Sequence, residues 1–412
     1  MPFDELNFPD YLNQALSKLG FTDATDIQSK AIPLIKEGKD LLAESQTGTG
    51  KTLAFSFPLI ERINSLPPKK KKISILGLIL VPTRELAIQV KNAFDSYAEF
   101  SLRNIKSTTL IGGEDIDGQI RQLRMGLDVL IATPGRIIEL IKLGEVRLFE
   151  LEMLILDEAD KMLDLGFADE LKDLLSALPK KRQNLLFSAT MPKKVQALAE
   201  DFLNEAEELR ISRDHITGDN IEQRLIEVDA NLRRQVLQKL FKEENWKHTI
   251  IFVSSKRSAF NLANKLKKAG IQAEDFHGDL SQEERIKVLK RFQNKDFPIL
   301  IATDIAARGI DISKLSHVIN YDLPRSPMDY VHRIGRTGRA GKKGVAISFI
   351  NPATEAQFKT IEKQAGIKLT KKRVDGFEEI TPIEAPKAKG PIKGKRKSKK
   401  DKLREAKQNK SS

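Results

Sequence analysis

The sequence predicts an α/β fold made of two tandem doubly wound parallel-sheet domains, followed by a disordered basic C-terminal tail. Short, nearly continuous apolar runs alternate with longer stretches of helical periodicity, which is typical of parallel strands covered by helices on both faces. This alternation pauses in a polar stretch at 205–222 and then starts again. The final stretch, 385–412, is rich in lysine and contains no aromatic residue.

Five apolar runs predict the strands of the first domain. They are LLAES (41–45), ILGLILVP (75–82), DVLIATP (128–134), EMLILDEAD (152–160) and NLLFSAT (184–190). Helical periodicity is present at 84–100 and 170–178. Because open α/β sheets bind ligands at the carboxyl ends of their strands, we expect functional residues directly after these runs.

Four further runs predict the second domain. They are HTIIFVSSK (248–256), DFPILIATD (296–304), HVINYDLP (317–324) and GVAISFI (344–350), with helices at 258–269 and 283–293. The boundaries that we expect are an N-terminal segment at 1–29, a first domain at 30–208, a linker at 209–222, a second domain at 223–370 and a tail at 371–412.

Charge is distributed unevenly along the 412 residues. Lys and Arg number 70 and Asp and Glu 57, a net charge of +13 that favours polyanionic partners, nucleic acid before an anionic membrane. Residues 385–412 hold 12 basic and 2 acidic side chains, or +10, which leaves +3 for the rest of the chain. This tail has too few apolar side chains to fold alone. It is a nonspecific tether for a polyanion or, alternatively, a solvated solubility tail.

Several classes of protein are excluded or disfavoured by composition. The longest uninterrupted apolar stretch, 75–81, is far shorter than the ~20 residues of a membrane-spanning helix. The N-terminus, MPFDELNFPD, is acidic and lacks the basic start of a secretion signal. The chain has no cysteine, which excludes disulfides, thiolate metal sites and cysteine nucleophiles. We therefore expect a cytoplasmic protein.

The strongest chemical motif is the glycine-rich turn SQTGTGKT, which follows the first predicted strand and opens a helix. Its backbone N–H groups and the helix N-terminus suit phosphates, and its lysine and final threonine suit the β/γ-phosphates and Mg²⁺. The predicted nucleotide-binding residues are Ser45, Gln46, Thr47, Gly48, Thr49, Gly50, Lys51 and Thr52. Ser45 stands where the general pattern has Gly, and a glycine-rich turn without a ligand is the alternative.

A second motif, Asp-Glu-Ala-Asp at 157–160, follows another predicted strand. In phosphoryl transfer one carboxylate holds the metal and another orients the attacking water, so we assign Asp157 to Mg²⁺ and Glu158 to the water. Taken alone, such a cluster is more often the acidic cap of a helix. With the glycine-rich turn upstream, the catalytic role is favoured over the helix cap.

The second domain contributes HRIGRTGR at 332–339, in which Arg333, Arg336 and Arg339 suit bidentate contacts to phosphate oxygens. This domain has no phosphate-binding turn of its own. We therefore expect its arginines to reach across a cleft to the nucleotide of the first domain, which makes hydrolysis depend on closure. A solvated or RNA-facing basic patch is the alternative.

Together these motifs resemble the DEAD-box RNA helicases of superfamily 2, from Phe3 to about Ile350. The resemblance implies two RecA-like domains, ATP and Mg²⁺ as cofactors, and RNA as partner. It makes GFTDATDIQ, within the 1–29 segment, similar to the family's adenine-reading motif. In that motif Gln28 reads the base edge and Phe3 helps to enclose the base, with Phe21 also at the nucleotide. The compact core with a short basic tail is similar to the bacterial RhlE-like type.

The resemblance also implies further site residues. Those for the RNA backbone are Pro82, Thr83, Arg84, Gly112, Gly113, Thr133, Pro134, Gly135 and Arg136 in the first domain, and Arg285, which follows Gln282, and Thr303 in the second. Asp311 is assigned to the ATP ribose, and Arg336 and Arg339 to arginine fingers. Ser188 and Thr190, with Asp160 and His332, are assigned to coupling between hydrolysis and strand separation.

The function implied is RNA-stimulated ATP hydrolysis that closes the two domains of a monomer on RNA and unpairs a few base pairs. Contacts to phosphates and 2′-hydroxyls make such binding sequence-tolerant. Two alternatives remain open. A DNA translocase is separated by comparing stimulation by RNA and DNA, whereas a non-enzymatic RNA clamp or annealing chaperone is disfavoured by the intact Lys51, Glu158 and Arg339.

Overall fold

The structure, a computed structural model, describes residues 1–45, 48–67, 75–211, 220–244, 246–307, 312, 315–338 and 343–380. In these residues two seven-stranded parallel sheets form, and helices flank each sheet. The predicted α/β fold with two doubly wound domains is therefore confirmed. Among the described helices, none combines the length and apolar character that crossing a bilayer requires.

The first domain begins with a short 3-10 helix at Phe3–Leu6. Its strands are β1 Leu41–Glu44, β2 Gly77–Leu80, β3 Ser107–Leu110, β4 Val129–Ala132, β5 Met153–Leu156, β6 Gln183–Ser188 and β7 Glu207–Arg210. Its helices are α1 Asp10–Leu19, α2 Asp26–Lys36, α3 Lys51–Ser65, α4 Arg84–Ala98, α5 Ile116–Arg124, α6 Pro134–Lys142, α7 Ala159–Asp164, α8 Ala168–Ser176 and α9 Lys193–Phe202.

The second domain has the same kind of element order. Its strands are β8 Ile221–Glu227, β9 Thr249–Phe252, β10 Ala273–Phe276, β11 Ile299–Ala302, β12 His317–Asn320, β13 Gly344–Ile350 and β14 Lys371–Lys372. Its helices are α10 Arg233–Glu244, α11 Lys256–Lys268, α12 Gln282–Gln293, α13 Asp304–Ala307, α14 Pro327–Ile334 and α15 Glu355–Ala365.

The two sheets share one topology. Their strand orders are β3-β4-β2-β5-β6-β1-β7 and β10-β11-β9-β12-β13-β8-β14, so adding seven to each strand number of the first gives the second. Adjacent residues of a strand point to opposite faces, and Leu78 and Ile79 of β2 accordingly belong to different buried clusters. Each face of the first sheet thus has its own core.

Five strands were not predicted, and most of them lie at the edges of the sheets. β7 is largely exposed and has the sequence EELR, and β10 has the sequence AEDF. β3 alternates between buried and half-buried residues. An edge strand can carry polar side chains because neighbours do not enclose it on both sides. Continuous apolar runs therefore mark most central strands and not the edges. β8 is an interior strand that is missed as well, because its sequence IEQRLIE is interrupted by polar residues.

Two predicted boundaries need correction. The linker at 209–222 is too long, because β7 extends to Arg210 and β8 begins at Ile221. The tail at 371–412 begins too early, because β14 pairs in parallel with β8 and Arg373 lies 2.8 Å from Glu227. Val374 and Phe377 then pack against the core of the second domain, which also holds this segment in place. The remaining tail residues, 381–412, lie outside the described residues.

The N-terminal segment 1–29 is an integral part of the first domain. Helix α2 crosses its predicted end at residue 29. Phe8 is buried, and its ring centroid is 5.2 Å from that of Phe57 on α3. The segment is therefore attached to the helix that follows the glycine-rich turn.

Candidate active site

Three predicted motifs meet at the carboxyl ends of neighbouring strands. In the first sheet β5, β6 and β1 lie side by side, and they are followed by Asp157, by the Ser188–Thr190 segment and by the glycine-rich turn. The register pairs Glu44 with Ser188 and Leu156 with Leu186, so β1 and β6 end together and β5 ends two residues earlier, which leaves its following residues, Asp157 and Glu158, beside the end of β6. The motifs are distant in sequence but adjacent at this edge, where doubly wound sheets bind ligands.

Lys51, the first residue of α3, is buried against acidic groups. Its Nζ lies 3.3 Å from Asp157 Oδ1 and donates a hydrogen bond to the Ser45 carbonyl at 3.2 Å. Burial alone lowers the pKa of Lys51, but the carboxylates of Asp157 and Glu158 outweigh it and raise that pKa above its usual value. The side chain is therefore a fixed cation where the turn meets the acidic motif. Gln46 and Thr47, also predicted here, lie outside the described residues.

The predicted adenine-reading segment is fastened to this turn. Gln28 Nε2 donates to the Gly50 carbonyl at 3.1 Å, and Thr25 Oγ1 donates to the Thr49 carbonyl at 2.7 Å. Gln28 Oε1 accepts from the Thr25 N–H, which caps α2. Gly50 has φ of 93°, a conformation that favours glycine, and a Cβ there would collide with Gln28 Nε2. Both the backbone conformation and the lack of space therefore require glycine.

The two predicted aromatic residues differ in accessibility. Phe3 is only 4% exposed and packs in the first hydrophobic core, whereas Phe21 is 39% exposed. The buried ring of Phe3 supports the segment from within. Phe21 has the exposed ring, and its assignment to the nucleotide stays a prediction.

Glu158 forms a buried ion pair that the sequence analysis did not predict. Lys161 Nζ lies 2.7 Å from Glu158 Oε1, and both side chains are almost fully buried. Burial raises the pKa of Glu158, but Lys161 and then Lys51 outweigh this effect and lower that pKa to about 2. Glu158 also has φ of 58° at the start of α7, a left-handed conformation that is unfavourable for a non-glycine residue. The carboxylate is therefore ionised and its position is fixed.

The residues assigned to Mg²⁺ offer hard oxygen donors. Asp157 is buried, and its Oδ1 accepts no aligned hydrogen bond within the described residues, although it lies near the Lys51 ammonium. Thr52 lies in the first turn of α3. The described residues contain no cluster of three metal-ligating side chains. A carboxylate and a hydroxyl fit an ion that keeps waters and takes further oxygens from substrate phosphates.

The predicted coupling residues of the first domain are hydrogen-bonded to one another. Asp160 Oδ2 accepts from Thr190 Oγ1 at 2.8 Å, and the Asp160 N–H donates to Ser188 Oγ at 3.3 Å. Ser188 Oγ in turn donates to the Thr190 carbonyl at 2.7 Å. The acidic motif is thus hydrogen-bonded directly to the segment after β6.

The second domain reaches this site through His332 and Arg336. Burial, followed by the nearby Lys161 charge, lowers the pKa of His332 to about 4, and Asp160 opposes the effect. His332 Nε2 is buried without a hydrogen-bond partner among the described residues. Arg336 is buried and contributes to the low pKa of Glu158. Charged groups of the two domains therefore act on one another at this site. The other two predicted residues, Arg339 and Asp311, lie outside the described residues.

Arg333, the first of the three predicted phosphate-binding arginines, has a different role. Its Nε and Nη2 donate to the two carboxylate oxygens of Asp304 at 2.6 and 2.7 Å, and Nη1 donates to Asn320 Oδ1 at 3.0 Å. Nη1 also donates to the Asp322 carbonyl at 2.7 Å, so four of the five N–H donors of this buried guanidinium are used, and the pair that would bind a phosphate is held by a carboxylate. The prediction was wrong for Arg333, which fixes α14 to the first residue of α13.

The other half of the first sheet edge carries the residues assigned to RNA. The neighbouring strands β3, β4 and β2 are followed by Gly112, Thr133 and Pro82. A cavity of about 450 Å³ lies between this edge and the second domain. We call it the interdomain groove. It is lined by seven of the nine predicted first-domain residues, namely Pro82, Thr83, Arg84, Gly112, Thr133, Gly135 and Arg136.

Two arginines of the groove are held differently. The guanidinium of Arg84 packs against Gly113, where φ is 77° and a Cβ would overlap it. Arg136 lies 3.1 Å from Glu139 and also donates to the Glu114 carbonyl and to Gln119 Oε1. Arg136 therefore supports the loop after β3. In the second domain, the Thr303 carbonyl accepts from the Ala307 N–H, and Thr303 precedes α13 and lies outside the lining of the groove.

Arg285 joins the two domains. Its Nε donates to Glu85 Oε1 at 2.7 Å, and its Nη1 donates to the His277 carbonyl at 3.3 Å. The side chains of Arg285 and Glu85 are largely buried, and the Arg285 guanidinium lies 4.6 Å from the Phe276 ring centroid. Arg285 also lines the interdomain groove, so its assignment to the RNA backbone stays a prediction. No local pattern identifies this pair, because Glu85 resembles an ordinary acidic residue at a helix start.

These arrangements define a nucleoside triphosphatase whose site is completed by its second domain and lies beside an interdomain groove. Two family models match the chain, the DEAD/DEAH box helicase at residues 25–198 and the helicase conserved C-terminal domain at residues 232–341. The chain belongs to the DEAD-box helicase family.

Curated relatives agree over most of the chain. The DEAD-box ATP-dependent RNA helicase CshA of Geobacillus kaustophilus is 41% identical over 377 residues, which cover 92% of this chain and 79% of that protein. CshA of Bacillus subtilis is 40% identical over 383 residues, 93% of this chain and 75% of that protein. The resemblance to the RhlE-like type stays a prediction, since these relatives carry another name.

Two solved structures differ in how well they superpose. S. cerevisiae Dbp5 bound to RNA and ADP BeF3 is 33% identical, covers 91% of this chain and 96% of its own, and has a TM-score of 0.81. A DEAD box protein from Methanococcus jannaschii is 41% identical and covers 90% of this chain and 99% of its own, with a TM-score of 0.52. The RNA-bound structure superposes better although its sequence is less similar.

Proposed function

We propose that this chain is an ATP-dependent RNA helicase in which ATP and RNA together close the two domains, and hydrolysis reopens them. The observation that carries this mechanism is the shared electrostatic site: His332 and Arg336 of the second domain lie among Glu158, Asp160 and Lys161 of the first. The better superposition on RNA-bound Dbp5 supports the assignment of this arrangement to the closed state.

The first domain binds and orients the triphosphate. Lys51 and the backbone N–H groups of the turn bind the phosphates. Thr52 and Asp157 would hold Mg²⁺, which when bound would neutralise charge on the phosphate oxygens. Glu158, ionised and fixed, accepts a hydrogen bond from the attacking water and aligns it with the terminal phosphorus. This explains why the carboxylate is kept buried in a strained conformation.

The second domain supplies charge when the cleft closes. Arg336 stabilises the negative charge that develops on the transferred phosphoryl group, as an arginine finger does. Arg339 has the same role by its spacing in HRIGRTGR. His332 lies beside Asp160, which contacts Thr190, so the relay runs from the nucleotide to the segment after β6. Closure is thus required for hydrolysis.

The interdomain groove holds one RNA strand by its backbone. Arg84 pairs with no carboxylate among the described residues, and the glycines beside it let a phosphate come close. The 2′-hydroxyl distinguishes RNA from DNA at such a surface. Because the groove exists only between the two domains, RNA binding and closure favour each other.

The deciding experiment is the steady-state rate of ATP hydrolysis with and without RNA, compared with DNA of the same sequence. We expect stimulation by RNA and little by DNA. Equal stimulation by DNA would favour a translocase. RNA binding without any hydrolysis would favour a clamp or annealing chaperone.

Gln28→Ala tests base recognition. We expect a larger rise in KM for ATP than for GTP, because the amide that reads adenine is lost. The same change removes the bond to the Gly50 carbonyl, so some loss with both nucleotides is expected. Ser29→Ala, next to it on α2, is the control. An unchanged preference for ATP over GTP would refute the role in base recognition.

The Glu85–Arg285 pair predicts a charge-swap rescue. Glu85→Arg alone places two cations together between the domains, and breaking a buried pair costs about 3–5 kcal/mol. We therefore expect RNA affinity in the presence of an ATP analogue to fall by more than tenfold, while ATPase without RNA stays low. Combining it with Arg285→Glu should restore much of the affinity. Failure of the double variant to recover would mean that each residue acts separately.

The basic C-terminal sequence is a nonspecific RNA tether in this proposal. Deleting 385–412 removes +10 of charge. We expect a higher RNA concentration for half-maximal ATPase and a shallower salt dependence, with kcat nearly unchanged. A collapse of kcat would make the tail part of the catalytic cycle.

A further inference from the structure

Helix α11 carries an exposed aromatic ring among polar and basic side chains. Its buried face packs on the core of the second domain through Ala259, Leu262, Ala263 and Leu266. The opposite face carries Arg257, Phe260, Asn261, Asn264 and Lys268, whose spacing of three, four and seven residues aligns them on one side of a helix. We call these five residues the α11 stripe. Phe260 is 54% exposed at its centre.

The positive charge of α11 is only partly compensated by acidic neighbours. It contains five basic residues, Lys256, Arg257, Lys265, Lys267 and Lys268, and no acidic one. Lys256 and Lys267 face Asp279 and Glu274. Arg257, Lys265 and Lys268 have no ion-pair partner in the part of the chain that the structure describes. The helix thus presents positive charge over about 20 Å, which suits a polyanion.

The stripe begins at the rim of the interdomain groove. Lys256, the first residue of α11, lies 2.7 Å from Asp279 Oδ2. Asp279 stands between Gly278 and Leu280, and both of these line the groove. A strand that leaves the groove past Gly278 therefore meets the N-terminus of α11 and then the stripe.

We propose that the α11 stripe is an auxiliary site for single-stranded RNA, which continues the strand held in the interdomain groove. Arg257 and Lys268 neutralise phosphates, and Phe260 provides a face on which a base stacks without regard to its identity. Asn261 and Asn264 supply amides for sugar and phosphate oxygens. The inference rests on the proposed function, because it extends that RNA path.

The test uses the full chain with a non-hydrolysable ATP analogue and fluorescent oligouridines of two lengths. The short one fills only the groove, and the long one extends beyond it. Phe260→Ala should weaken binding of the long RNA by about tenfold and leave the short RNA unchanged, since one stacking contact is lost. Arg257→Gln with Lys268→Gln should lower the salt slope for the long RNA by roughly two phosphate contacts.

Matched controls are Phe149→Ala, an exposed aromatic residue of the first domain, and Lys363→Gln on α15. Both should bind the two RNAs as the unmodified chain does. Equal losses on both lengths would place the effect in the groove and overturn the auxiliary site, as would unchanged binding of the long RNA. If the unmodified chain bound neither RNA, the proposed function itself would fail, which is a different outcome.

Discussion

Replacing Glu158 by Gln is expected to lower RNA-stimulated kcat by about 10²–10⁴-fold, the range associated with loss of a positioned acid or base. The amide keeps the size of the side chain but loses the charge that aligns water. It also leaves Lys161 without its buried carboxylate partner, 2.7 Å away in the unmodified protein. ATP and RNA should still bind, because Lys51 and the interdomain groove are intact. Single-turnover hydrolysis and RNA affinity, measured on one preparation, separate the two effects.

Asp164→Asn is the matched control for this change. It removes a carboxylate from the same helix, α7, but from an exposed position paired with Lys194. Surface pairs of this kind contribute little to stability. We expect normal hydrolysis from this variant. Near-normal hydrolysis from Glu158→Gln as well would show that another group positions the water.

The motifs of the nucleotide site were predictable because each one is local. SQTGTGKT and the acidic motif place their chemistry within a few residues of a strand end, and the parallel sheet then brings those ends together. Gln28 was assigned from the resemblance. Its bond to the Gly50 carbonyl could not be anticipated from sequence, because it depends on how α2 packs beside α3.

The ion pairs were harder to predict because they too depend on how distant parts of the chain pack together. Glu85 and Arg285 lie 200 positions apart, and Arg333 binds Asp304 across a loop. A charged residue near a helix end has an adequate local explanation as a cap or a solvated face. Only the fold shows that these side chains are buried and already have partners. The same limit hid the carboxylate partners of Arg285 and Arg333.

Arg336→Ala is expected to lower kcat by about 10³-fold or more, the contribution of an arginine finger in phosphoryl transfer. Arg336 is buried, and its charge contributes to the low pKa of Glu158. ATP affinity in the open state should change little, because the first domain binds the phosphates. Arg336→Lys should recover only part of the rate, since a single ammonium cannot make a bidentate contact.

The control for Arg336 is Arg325→Ala, an exposed arginine just before α14. The decisive measurement is kcat at saturating ATP and RNA, combined with RNA affinity in the presence of an ATP analogue. An arginine finger requires kcat to fall while the chain still closes on RNA. If RNA affinity falls as far as kcat, Arg336 stabilises the closed state rather than the transition state. Normal turnover by Arg336→Ala would show that Arg336 takes no part in hydrolysis, and the proposed dependence of hydrolysis on closure would then lose its basis.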